Sequence, residues 1–231
     1  MLESSLRRRA LLTAGGAVAG SLALAGSASA APAPTPDTPY AAVKALLAGN
    51  KRFAAGHARH PHQTPERVRE VAAGQHPFVI VLGCADSRVA PEIVFDQGIG
   101  DVFDDRVAGN IVDDLHLGSI EYALEEFAPP LVLVLGHERC GAVAATLDVI
   151  RTGGTAPGHI ADIVEALRPI VTPFVNSPDA VELAVRANIR AQAAALLEQS
   201  DIIREKVEHG ETLVAGARYD LDTGLVQLIH V

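Results

Sequence analysis

An α/β fold with a mainly parallel central sheet flanked by helices is predicted by three observations on the 231-residue chain. Two five-residue apolar runs, Phe78–Leu82 and Leu131–Leu135, each lead into a glycine, the pattern of strands buried on both faces. Stretches with helical spacing alternate with these runs, as crossovers between parallel strands require. A composition of 48% apolar and 20% charged residues suits one globular domain with a sizeable core, and excludes a disordered tail or a coiled coil.

The elements follow in order. From Tyr40 to about Gly56, Val43, Leu46, Leu47 and Phe53 recur at helical spacing. His57, His60 and His62 then fall in a loop, read as solvated rather than as a second metal site. Thr64-Pro65-Glu66 starts a helix, with Thr as cap and Pro in the first turn, and Gly74 ends it. Phe78–Leu82 is the first buried strand and Asp101–Val107 a candidate second one. Asp113–Phe127 reads as an amphipathic helix leading into the strand Leu131–Leu135. Helices are expected at Ala142–Ile150 and Ile160–Val171, then over a long Ala- and Leu-rich stretch from Asp179 to about His209. Thr212–Tyr219 and Leu225–Val231 close the chain as strands, turning at Asp222-Thr223-Gly224.

The N-terminus stands apart. Arg7-Arg8-Arg9 precedes a weakly apolar Ala- and Gly-rich run to about Ala25, and Ala28-Ser29-Ala30 follows as a small-residue cleavage pattern. Charged region, apolar region and cleavage site stand in secretory order, and Arg8-Arg9-Ala10-Leu11-Leu12 resembles a twin-arginine signal. Residues 1–30 are therefore expected to be a signal peptide for export, periplasmic or secreted. Residues 31–39, with four prolines, read as a linker, and 40–231 as the folded domain. The apolar run is too short for a comfortable membrane span, so no stable span is expected once the signal is removed. Losing three Arg and one Glu takes the net charge from −9 to −11. That acidic balance argues against nucleic-acid binding, which needs a basic face.

Two cysteines are too few for a disulfide framework or a four-thiolate zinc site. Their placement is informative. Cys84 directly follows the first buried strand, and Cys140 lies four residues past Gly136 at the end of the other. Open parallel sheets bind ligands outside the carboxyl ends of their strands, so both thiols lie at the usual functional edge. His137, three residues before Cys140, is close enough to share one metal with it. A Cys, His, Cys set leaves zinc one open position, as catalytic rather than structural sites do. Asp86 can accept a hydrogen bond from a metal-bound water, and Arg88 can pair with Asp86 to keep it ionised and oriented. Plainer roles fit the same residues: small buried thiols, a Cys84–Cys140 disulfide, or a structural Asp86–Arg88 ion pair.

Cys84-Ala85-Asp86-Ser87-Arg88-Val89 and Gly136-His137-Glu138-Arg139-Cys140-Gly141-Ala142 resemble the two signatures of the β-class carbonic anhydrases. Arg106-Val107-Ala108-Gly109-Asn110 and Gly118-Ser119-Ile120-Glu121-Tyr122 resemble two further family segments, in the family's order. The similarity runs from about Tyr40 to Val231. It implies a zinc enzyme, one Zn2+ per chain, that reversibly hydrates carbon dioxide to bicarbonate and a proton by a zinc-bound hydroxide. The implied ligands are Cys84, His137 and Cys140. Asp86 either holds the zinc water in line or, in a closed form, becomes the fourth ligand, and Arg88 keeps it off the metal. Gln75 matches a glutamine that hydrogen-bonds substrate across a subunit interface, and Val89 and the Gly141 amide line the pocket. An N-terminal helix that wraps a partner implies a homodimer or homotetramer.

Three positions depart from the family pattern: Ala85 for the commoner serine, Val107 where many relatives have asparagine, and Val81. Gly83, Arg106 and Tyr219 fit a non-catalytic bicarbonate pocket known in some members, but Val81 stands where its tryptophan would be. Two other readings share the residues: hydrolysis of carbon disulfide or carbonyl sulfide on the same scaffold, and a non-catalytic zinc-binding or thiol-redox module. Dinucleotide binding lacks any G-x-G-x-x-G after a strand.

Overall fold

The computed structural model describes residues 35–231. The expected signal peptide (1–30) and the first part of the linker lie outside the described residues. Helix α1 (Pro39–Ala54) begins one residue earlier than its apolar spacing implies. The side chain of Thr38 accepts from the Ala41 amide, and Pro39 takes the first turn, where its missing N–H costs nothing. Helix α2 (Pro65–Val71) starts in the same way at Thr64 and Pro65.

Five strands form one sheet: β1 (Val79–Gly83), β2 (Val102–Arg106), β3 (Leu131–His137), β4 (Leu213–Tyr219) and β5 (Val226–Ile229). Their order is β2-β1-β3-β4-β5, parallel from β2 to β4 with β5 antiparallel at the edge. Both buried runs are strands, and their alternation explains why they are apolar throughout. Ile80, Leu82, Val132 and Val134 point into one core, while Val79, Val81, Leu131 and Leu133 point into the other.

The first core is covered by α4 (Asp114–Phe127), α5 (Gly141–Thr152), α6 (Ile160–Val171), α7 (Ala180–Gln199) and α8 (Asp201–Glu208). The second is covered by α1 and the single-turn helix α3 (Pro91–Val94), which was not expected from the sequence. Asn50 of α1 ties three segments together: its amide nitrogen donates to the carbonyls of Val94 (3.1 Å) and Gly224 (2.8 Å), and its oxygen accepts from Val226 N (2.8 Å). No helix among the described residues is long and apolar enough to cross a membrane.

The long helix expected over 179–209 is two helices. Ser200 has extended backbone (φ −122°, ψ 116°), its hydroxyl accepts from Ile203 N at 3.1 Å to cap α8, and it donates to Glu121 at 2.6 Å. A serine whose side chain satisfies the first amides of a new helix breaks one that Ala and Leu periodicity would continue.

Candidate metal centre

Strand register builds the site. Gly83 pairs with Leu135 across β1 and β3, so Cys84, one residue past its partner, and His137, two residues past its own, emerge close together at the carboxyl edge. The chain then turns through Arg139, held in the left-handed region (φ 52°), and Cys140 caps α5 without using its side chain as a cap. The turn is anchored from the β4–β5 connection. Glu138 N donates to Tyr219 O at 2.9 Å, and Arg139 donates twice to Asp222 at 2.9 and 2.7 Å.

The sulfurs of Cys84 and Cys140 and a ring nitrogen of His137 lie within 4.8 Å of one another, and all three residues are buried. His137 Nδ1 donates to the carbonyl of Glu138 at 2.9 Å, leaving Nε2 as the acceptor. That Nε2 is buried with no hydrogen-bond partner. A buried orphan lone pair beside two sulfurs is a costly arrangement unless a metal completes it. Both cysteines are free thiols, not a disulfide.

The thiols divide one proton. The bond from Cys140 favours thiolate at Cys84, against the cost of burial, and the Gly109 amide adds to it, so the Cys84 thiol is held below its ordinary range. The same pairing, with burial, holds the Cys140 thiol well above its ordinary range. A dication would permit both to ionise, because it removes the repulsion between two neighbouring thiolates.

Asp86 stands at the rim, its Oδ2 3.8 Å from His137 Nε2. Arg88 grips it three times: backbone N to Oδ1 at 3.0 Å, Nε to Oδ1 at 2.9 Å and Nη2 to Oδ2 at 2.7 Å. These bonds hold the carboxyl well below the usual carboxylate range, against a smaller opposing effect of burial. Val89 is buried in the second core and its amide donates to Asp86 O at 3.0 Å. Gly141 opens α5 in free space: a Cβ there would meet nothing within 4 Å. Gln75 is not brought to this cluster. It lies exposed in the loop before β1, at the end of that strand opposite Cys84.

Two groups beside the cluster, Arg106 and Gly109, were given no role at this site in the sequence. Arg106 donates to the carbonyls of Cys84 (3.0 Å) and Asp86 (2.7 Å), fixing the backbone that carries both side chains. Gly109 N donates to Cys84 Sγ at 3.4 Å. Both lie in the Arg106–Asn110 motif, whose resemblance to a family segment was the sequence signal for them. The loop histidines are engaged elsewhere: His62 Nδ1 lies 2.7 Å from Asp101, and the backbone N–H of His60 donates to Asp96 at 2.9 Å. A carboxylate group of Glu138, Asp220 and Asp222 is offset by Arg139 and Arg218.

A parallel sheet carrying a buried Cys, His, Cys donor set and a clamped carboxylate at its carboxyl edge defines an α/β metal-dependent enzyme. Residues 79–226 match the family described as Carbonic anhydrase. The chain is 42% identical over 187 residues to carbonic anhydrase 2 of Mycobacterium tuberculosis, covering 80% of this chain and 90% of that protein. It is 42% identical over 191 residues to the carbonic anhydrase of Mycolicibacterium smegmatis, covering 82% and 93%. Among solved structures, the Coccomyxa β-carbonic anhydrase in complex with acetazolamide superposes with a TM-score of 0.63 at 30% identity, covering 79% of this chain and 84% of that one. A β-carbonic anhydrase of Aspergillus fumigatus gives 0.64 at 30% identity, covering 81% and 90%. This chain belongs to the β-class carbonic anhydrases.

Proposed function

We propose that the enzyme reversibly hydrates carbon dioxide to bicarbonate and a proton, with one zinc ion per chain held by Cys84, His137 and Cys140. The observation that carries this reading is the buried, unpartnered Nε2 of His137, on a ring with a nitrogen within 4.8 Å of both sulfurs. Two thiolates and one imidazole suit zinc and leave one coordination position for chemistry. Zinc bound there supplies the Lewis acidity that lets water lose a proton near neutral pH.

The chain's own residues do the rest. Asp86, kept ionised by Arg88, accepts a hydrogen bond from the attacking water and orients its lone pair toward the substrate carbon. The grip of Arg88 also keeps the carboxylate from taking the fourth ligand position. Val89 offers an apolar wall to an uncharged substrate, and the Gly141 amide donates to the oxygen on which charge develops. Gln75 serves the site of a neighbouring chain, since its own site lies at the other end of β1. That role requires a homodimer or homotetramer, and the exposed Leu115, Tyr122 and Leu228 supply apolar surface for one. Residues 1–30 direct export by a twin-arginine route, on the strength of their sequence pattern.

The test is carbon dioxide hydration by the zinc-quantified chain. About one zinc per chain is expected, and Cys84→Ala and His137→Ala should lose zinc and turnover together. Turnover that survives full zinc removal, or a fully loaded enzyme that hydrates nothing, would refute the reading.

A further inference from the structure

Two primary amides are buried deep in the apolar first core, on α7: Asn188 (1% exposed) and Gln192 (4%). Their neighbours on the helix, Val185, Ile189 and Ala193, are ordinary core residues. The two amides are linked, Gln192 Nε2 donating to Asn188 Oδ1 at 2.9 Å. Each reaches the same loop. Asn188 Nδ2 donates to Gly109 O at 2.8 Å, and Gln192 Oε1 accepts from Val112 N at 2.8 Å. The loop they hold is the one whose Gly109 amide donates to Cys84 Sγ.

We propose that Asn188 and Gln192 are positioning residues for the metal centre, holding the Gly109 amide on the sulfur of Cys84 through a relay of four hydrogen bonds. The inference rests on the reading of Cys84 as a metal ligand. Gly109 has φ +83° and no side chain, so its backbone is free to rotate about either bond unless pinned. The amide that reaches the sulfur and the carbonyl that Asn188 holds flank its Cα, so anchoring the carbonyl restrains the range of directions open to the N–H. Asn110, also in the left-handed region (φ 44°), continues the turn, and Gln192 secures its far end at Val112. A side chain at Gly109 would be strained at this φ, and its Cβ would crowd Leu167 Cδ1 at 3.2 Å and Ala142 Cβ at 3.3 Å.

An N–H donated to a thiolate withdraws charge from the sulfur and lowers the energy of its lone pairs. That changes the ligand's electron donation to the metal, which a merely structural role for the two amides would leave alone.

The experiment uses the full chain loaded with cobalt(II), whose thiolate-to-metal charge-transfer band reports the sulfur lone-pair energy. Wild type should show the band; its absence would remove the cysteines from the metal site and overturn the reading beneath this inference. With the band present, Asn188→Leu should shift it to lower energy, with zinc-supported turnover falling about tenfold. In cadmium-113-loaded wild type, the Gly109 amide proton should couple to the metal through the sulfur, and that coupling should vanish in Asn188→Leu. An unmoved band in a folded Asn188→Leu overturns the proposal. If that variant does not fold, Gln192→Met, which leaves the Asn188–Gly109 bond intact, decides: a smaller shift in the same direction supports the relay, and an unmoved band overturns it.

Discussion

Ile189, at the middle of α7 and fully buried, is wedged between two strand glycines. A Cβ built on Gly136 of β3 would lie 2.6 Å from its Cγ1 and 2.7 Å from its Cδ1. One built on Gly216 of β4 would lie 2.7 Å from its Cγ2. Optimal carbon separation is about 3.5–4.0 Å, so Gly136→Ala creates an overlap of about 1 Å. The Ile189 side chain cannot escape by rotation, because its other branch is already against Gly216. Overpacking of this kind costs about 1–3 kcal/mol. For a domain of this size that is a fall of roughly 2–12 °C in melting temperature. Ile189→Ala alone should cost about 2–5 kcal/mol through the cavity it leaves. Combined, the two should cost less than their sum by about 1–3 kcal/mol, since the new methyl enters the vacated space. The assay is thermal unfolding at fixed zinc load and fixed protein concentration, both of which shift apparent stability. Because Gly136 immediately precedes His137, turnover of Gly136→Ala should fall as well, and recover in part in the double variant. A Gly136→Ala protein that melts with wild type, or energies additive within about 0.5 kcal/mol, would refute the steric argument.

Three further outcomes follow from the site and its supports. Asp86→Asn should keep its zinc and lose most turnover, measured by metal analysis beside carbon dioxide hydration; full turnover would remove Asp86 from the mechanism. The lowered Asp86 carboxyl stabilises the fold above its unfolded value of about 3.9, and that contribution is lost only as pH falls through the lower native value. It therefore imposes no acid limb on turnover at neutral pH. The rise expected above about pH 7 belongs instead to a zinc centre whose charge is offset by two thiolates, and a flat profile from about pH 6 to 9 would contradict this. Asn50→Ala should cost about 2 kcal/mol or more by leaving the buried carbonyl of Val94, and the half-buried carbonyl of Gly224 and amide of Val226, without partners, read as a lower melting temperature.

What the sequence revealed, and what it hid, follows the distance over which each feature is decided. β1 and β3 are legible because both their faces are buried, which makes every position apolar. The candidate metal cluster is legible for a related reason: Cys84, His137 and Cys140 each lie within a few residues of a strand end, and strand ends converge in a parallel sheet. Asp86 and Arg88 are two residues apart, so their pairing needed only local geometry. The break at Ser200 was less visible, because its cap competes with a helical pattern that continues through it, and its partner Glu121 is 79 residues away. α3 is a four-residue turn, too short to show a period. The relay to Cys84 is the extreme case. Asn188 meets Gly109 across 79 residues and Gln192 meets Val112 across 80, and those meetings exist only because α7 crosses the sheet above the β2–α4 loop. In isolation, two amides four residues apart on a helix read as a solvated face. Their burial beside Val185 and Ile189 reverses that reading, because a buried amide without partners costs more than its hydrogen bond returns, and here the partner of Asn188 is the residue whose N–H meets the Cys84 sulfur.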